Sequence, residues 1–175
     1  MKIQYRSFVS AALVASSLFF GVQAASAATS TATLTGGTLA ITSPASDFTY
    51  SATLTGVDVT LPSSFVVGVN DPTGSKAGWN LQATIGTLTS GSDTIPASGH
   101  TIQSVAITGV TGVGPSNTIA VGNAIPASAA KVFNAIANTG KGRSTETFTT
   151  QLAVPAETAA GTYTATLVVT IVSGP

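Results

Sequence analysis

Threonine and valine recur with period two through most of this chain, and that alternation limits its fold more than any other feature. A β-branched residue at every second position puts one row of side chains on each face of a strand. Threonine offers its hydroxyl to the wet face, and valine packs on the dry one. Glu, Lys, Arg and Met, which build helices, are scarce. The strongest strand runs from Gly161 to Ser173, where Tyr163, Ala165, Leu167, Val169 and Ile171 alternate with Thr164, Thr166, Val168, Thr170 and Val172. Both faces are largely apolar or β-branched, which predicts a central strand rather than an edge. The same reading predicts strands over Thr31–Thr42, Phe48–Leu61 (Phe48, Tyr50, Ala52 and Leu54 on one side, a kink at Gly56), Phe65–Asn70, Trp79 to about Leu88, His100–Thr108 and Thr145–Val154. Pro62-Ser63-Ser64 reads as a break, and Gly109–Gly122 as a long loop with a short strand around Ile119 and Val121. One short helix is expected over 128–138, where Pro126 precedes a Ser128 cap and Val132, Phe133 and Ile136 share a helical face. Eight or nine short strands between Gly/Pro turns predict an all-β protein, a β-sandwich of Greek-key or immunoglobulin-like character.

The N-terminus reads as an export signal. Lys2 and Arg6 form a positive start, Phe8–Val22 is apolar, and Ala25-Ser26-Ala27 is the small-x-small pattern that places cleavage before Ala28. The apolar run is shorter than the ~20 residues that span a bilayer. Residues 1–27 therefore read as a signal peptide and 28–175 as one secreted domain, with no membrane span once the signal is removed. A domain of that length buries about 68–70% of its unfolded surface, enough for a real core. That core must stand without disulfides, because the chain has no cysteine. Beyond the leader, Lys76, Lys131, Lys141 and Arg143 face Asp47, Asp58, Asp71, Asp93, Glu146 and Glu157, a slight acidic excess. No basic face is available to neutralise phosphates, which excludes nucleic acid as a partner. The remaining surface of Thr, Ser, Gly and Ala is uncharged and rich in hydroxyls. It suits an extracellular protein that lies against polysaccharide or against copies of itself.

The stretch Val69–Ile85 holds the sole tryptophan, Trp79, directly after Gly78 at the end of the turn-dense loop Asp71–Gly78. Its alternation with Leu81, Ala83 and Ile85 puts the indole on the apolar face, as a core residue whose N–H needs a carbonyl partner; stacking on a sugar ring is the alternative role. Asp71 fits an Asx-type turn better than a calcium ligand. Gly140-Lys141-Gly142-Arg143 lacks the spacing of a phosphate loop. It reads as a basic loop that can meet an anionic polymer. His100 is the only histidine, and with no cysteine beside it a metal site of the His/Cys kind is not expected. No G-x-S-x-G elbow marks any serine, and no carboxylates stand as a D-x-D pair. Glycosidase chemistry would require strands to bring two of them face to face, for example Asp47 with Asp58 or Asp71 with Asp93. No catalytic residue and no cofactor are expected.

Five segments then resemble one known family when taken in order. They are Val67–Gly74 followed by Gly78-Trp79-Asn80-Leu81; Thr38-Leu39 to Phe48; the Gly-rich Ala137–Gly142; Leu152-Ala153-Val154-Pro155; and Gly161-Thr162-Tyr163 through Pro175. Their order and spacing are similar to those of the WxL domains of Gram-positive surface proteins, over essentially all of residues 28–175. That family usually repeats Trp-x-Leu shortly before a terminal proline. Here Val169-Thr170-Ile171 stands in its place, so the chain resembles a divergent member without the second tryptophan. The resemblance implies a protein held non-covalently at the bacterial cell surface. Its ligand would be peptidoglycan or another wall polymer, and other surface proteins of the same system would be partners. By the same resemblance the ligand-binding residues would be Asp71, Trp79, Leu81, Lys141 and Arg143. Two other functions fit the composition: a self-associating structural subunit of a surface layer or fibre, suggested by the low charge and Thr-rich strands, and a secreted glycan-active enzyme, which needs facing carboxylates.

Overall fold

The computed structural model describes residues 29–175; the expected leader and its cleavage site lie outside them. The alternating segments form β1 (Ala40–Ser43), β2 (Val59–Asp71), β3 (Trp79–Ile85), β4 (Leu88–Ser90), β5 (Asp93–Ile95), β6 (His100–Val113), β7 (Ala130–Ala135), β8 (Lys141–Val154) and β9 (Leu167–Ser173). A 3-10 turn at Ala97–Gly99 is the only helical piece among the described residues. One sheet has the order β1-β2-β8-β6, a second β7-β3-β9, and β4-β5 is a separate hairpin. Every pair is antiparallel. The strand that Trp79 opens is the centre of the three-stranded sheet.

The inner faces of the two large sheets make one core, as a sandwich requires. Phe65, Val67 and Val69 from β2 and Phe148 from β8 meet Trp79, Leu81, Ala83 and Ile85 from β3 and Phe133 and Ala135 from β7. An aromatic chain threads that core. Phe48 lies 5.4 Å from Phe65, Phe65 stacks on Phe148 at 4.8 Å, Phe148 meets Phe133 edge-on at 6.1 Å, and Phe133 lies 5.8 Å from Trp79. Such ring pairs add about 0.5–1.5 kcal/mol each beyond area burial. A second, smaller cluster of Leu88, Ile95, Leu152 and Val154 fills the end of the sandwich away from Trp79, with Tyr50 and Tyr163 packed against it.

The structure corrects the sequence reading in several places. The expected helix over 128–138 is β7. Its Val132-Phe133 pair suggested a helical face, yet Phe133 pairs with Leu81 and Lys131 with Gln82, leaving Val132 as an extra residue in a bulge. A bulge breaks the period of two, so consecutive residues can both turn inward; Val132 and Phe133 are both buried. The last strand is an edge. β9 pairs with β3 alone, Val168 and Val172 are 49% and 42% exposed, and Gly161–Thr166 is irregular apart from a bridge between Thr164 and Thr89. Pro62 does not break β2; it pairs with Gln151. β1 reaches only as far as Gly68, so no strand of the sheet lies on the other side of Pro62, and an edge tolerates a missing N–H. Phe48–Asp58 is not a strand, nor is most of Thr31–Thr42. β6 continues through Gly109 to Val113, with a register shift between Thr108 and Thr111 that absorbs Gly109 and Val110.

Candidate functional site

The β2–β3 loop begins at Asp71, which is buried at the end of β2. Its Oδ1 accepts from the backbone N–H of Thr73 at 3.0 Å and from the Thr73 hydroxyl at 2.6 Å. Thr73 and Ser75 continue the same kind of side-chain support toward Ala77. The carboxylate thus shapes the turn. Among the described residues, no group of three or more His, Cys, Asp or Glu side chains surrounds a possible metal position.

At the far end of that loop Trp79 is fully buried, and its indole Nε1 donates to the Gly140 carbonyl at 2.9 Å. Full burial places the ring in the core, out of reach of a ligand. It also ties the β7–β8 loop to β3. Gly140 has φ +66°, and a Cβ there would meet the Trp79 indole and Ala135. Gly78 has φ +77°, and a Cβ there would strike the Ala135 carbonyl. Both glycines therefore allow the backbone to close around the indole. Leu81, two residues on, is equally buried. Asn80 faces the opposite side of β3, donating from Nδ2 to the Gly174 carbonyl at 2.7 Å, while its Oδ1 is buried without a partner.

These contacts gather distant stretches at one end of the sandwich. Gly37 donates to Pro72, Asn138 to Lys76, Gly140 to Gly114 and Gly174 to Gly78, all backbone to backbone. Asp71 pairs with Gly142 across β2 and β8, and Lys141 and Arg143 pair with Val113 and Thr111 across β8 and β6. Each of the five residues expected in the site thus belongs to β3, to the β2 end or to the β8 start at this end. Only Lys141 and Arg143 reach solvent; Asp71, Trp79 and Leu81 are buried.

One further residue joins them that the sequence did not single out. Lys76 is exposed in the β2–β3 loop with φ +61°. Three of the four basic residues beyond the leader therefore sit at this end, and the single acid near them, Asp71, is committed to its turn. The exposed acids Asp58, Asp93 and Glu157 lie beside the start of β2, in β5 and just past the end of β8, at the opposite end, while Asp47 follows Ser46, whose amide donates to Val66 midway along β2. β2 alone spans the sandwich at ~3.3 Å per residue, so the two ends are ~40 Å apart. The sequence shows the counts of charges, but only the topology separates them by sign.

The acidic end holds a groove of about 1070 Å³ between the segments 45–54 and 158–167, floored by the smaller apolar cluster. His100 is in its lining and 1% exposed. Burial lowers its pKa, so the ring is neutral, and its Nδ1 has no hydrogen-bond partner. Tyr50 lies 5.5 Å from that ring and shares a hydrogen bond with Thr150 at 2.9 Å. Asp47 is the only carboxylate in the lining.

Between the ends, Glu146 points into the sandwich from β8, flanked by Val67 on β2 and Ile107 on β6. It is completely buried, and neither carboxyl oxygen has a hydrogen-bond partner. Burial pushes its pKa up to about 7; the Ser144 hydroxyl and the residue's own amide oppose the rise by proximity, although neither closes a well-formed hydrogen bond. A carboxyl in that position holds its proton up to near-neutral pH because ionising it without a partner is costly.

Among the described residues no helix is long and apolar enough to cross a membrane. No curated protein matches the chain. Residues 13–175, however, match the family described as WxL domain, surface cell wall-binding. That match covers the β-sandwich from end to end, with the buried Trp-Asn-Leu strand at its centre, and the chain belongs to the WxL domain family of cell-wall-binding surface proteins.

Proposed function

We propose that this protein is exported through cleavage before Ala28 and binds peptidoglycan non-covalently as a single domain, residues 28–175. The observation that carries the reading is the family match over 13–175, a binding family rather than an enzyme family. The contact surface is the basic end. Lys76, Lys141 and Arg143 meet anionic groups of the wall polymer, such as carboxylates of the peptide stems. Trp79, Leu81 and Asp71 act from beneath, fixing the β2–β3 loop that carries Lys76 and the start of β8, where Lys141 and Arg143 stand on a strand and not on the basic loop expected from the sequence. Cations held on an ordered backbone recognise carboxylates better than the same charges on a free chain, because less side-chain and loop entropy is lost on binding. The groove at the other end has one carboxylate, which does not supply the facing pair a glycosidase uses.

The test is co-sedimentation of the purified protein with isolated peptidoglycan. Pelleting well above an unrelated β-sandwich of similar charge is expected; no excess over that control overturns the reading.

A second reading, self-association into a layer or fibre, draws support from β9. An edge strand with exposed valines offers unpaired backbone groups to another copy. Light scattering at high concentration separates the two readings, since a strict monomer excludes the assembly.

A further inference from the structure

We propose that the groove at the acidic end is a second binding site, for an uncharged sugar strand. It borrows its biological setting from the wall-binding reading but stands on its own chemistry. Its volume, about 1070 Å³, is slightly above the ~300–1,000 Å³ typical of small-ligand sites, room enough for several sugar rings. The lining combines three ingredients that suit a sugar and few other ligands. The half-buried rings of Phe48, Tyr50 and Tyr163 provide apolar surface for the C–H faces of pyranose rings. Both phenols are already engaged, Tyr50 with Thr150 at 2.9 Å and Tyr163 with the Ala159 carbonyl at 3.0 Å, so the rings are held in place. Threonines such as Thr53 and Thr162 supply exposed hydroxyls, each able to donate and accept.

Charge narrows the ligand further. No Lys or Arg lines the groove, Asp47 does, and the exposed Asp58, Asp93 and Glu157 share that end of the molecule. A phosphate-bearing polymer would meet only like charge and no counter-charge. A neutral glycan meets neither.

A separate observation points to a ligand. His100 is in the lining, 1% exposed, and its Nδ1 lacks any partner. A buried nitrogen left unpaired is unfavourable, and a ligand that pairs it recovers that loss. The segment above it, 44–58, is fastened to the sheets by the Ser46–Val66, Tyr50–Thr150 and Asp58–Ala156 hydrogen bonds rather than by a strand ladder. A sugar hydroxyl that reaches the ring from the groove would supply the missing partner.

The experiment titrates the purified protein with the neutral β-1,4-linked N-acetylglucosamine tetramer, following backbone amide resonances. The expected result is saturable shifts confined to 45–54, 158–167 and His100. Tyr163→Ala should weaken binding at least about tenfold. Ala165→Arg, on an exposed lining position, should abolish it with an unchanged melting temperature, which covers the case in which the tyrosine variant does not fold. Lys141→Ser with Arg143→Ser should leave the titration unchanged. Shifts that fall elsewhere, or no shifts, overturn the groove proposal, and co-sedimentation with whole peptidoglycan that persists in that case leaves the wall-binding reading standing. Saturable groove shifts with no wall binding support the groove and overturn the other reading.

Discussion

Glu146 makes the stability of this domain depend on pH in an unusual direction. Its carboxyl is raised from 4.5 to about 7 in the folded protein. In the unfolded chain it ionises near its ordinary value. Below ~4.5 both states hold the proton and there is no penalty; between ~4.5 and ~7 the folded state binds more protons, so stability falls as pH rises; above ~7 the full penalty is present. At about 1.36 kcal/mol per pKa unit, the loss between pH 5 and pH 8 is about 2–3 kcal/mol, a large part of a typical ~5–15 kcal/mol. His100 acts the other way. Its lowered pKa means that acid favours the unfolded state below the ordinary histidine range. The comparison must therefore be between wild type and Glu146→Gln, which share His100. Urea denaturation at pH 5, 6, 7 and 8 is the assay. Relative to wild type, the glutamine variant should gain about 2–3 kcal/mol between pH 5 and pH 8, with the denaturant slope unchanged. A difference between the two proteins that is constant with pH, or that grows toward acid, would refute the reasoning, because Glu146 would then have a partner or solvent that its burial denies it.

Three other outcomes follow from the basic end. Gly140→Ala should destabilise by about 2–4 kcal/mol, since the new methyl meets the indole and Ala135 at a backbone angle only glycine adopts freely; thermal melts with tryptophan fluorescence will show it. Trp79→Phe should cost about 1–3 kcal/mol in chemical denaturation, largely from the orphaned Gly140 carbonyl. Lys141→Ser with Arg143→Ser should shift the melting temperature by less than ~2 °C, yet weaken peptidoglycan co-sedimentation and flatten its salt dependence.

The fold was legible where residues alternate and illegible where the backbone departs from that rule. β3, β8 and the first half of β6 stand close to where period two puts them. β7 was hidden because one bulged residue, Val132, converts a strand pattern into a helix-like one. β9 looked central because its faces are alike, but β-branched residues suit an exposed edge too, and sequence does not reveal how many neighbours a strand has. At the site, the Gly-Trp-Asn-Leu motif and the basic loop were visible as separate stretches. Their joining through the Trp79–Gly140 hydrogen bond was not, nor was the role of Lys76, because both depend on contacts between residues far apart in the chain. Glu146 was only one carboxylate among six; its solitude is a property of the packed interior alone.

The position of β9 also bears on when the domain can fold. Trp79 begins the middle strand of its sheet, and one whole side of that strand, from Trp79 opposite Ser173 to Ile85 opposite Leu167, is completed only by β9. A ribosome makes the chain from its N-terminus, so the residues of β9 appear after those of β3 and β7. Until they emerge, β3 lacks one of its two neighbours and the Gly174 ties to Gly78 and Asn80 cannot form. The three-stranded sheet therefore closes around β3 only once β9 has been made.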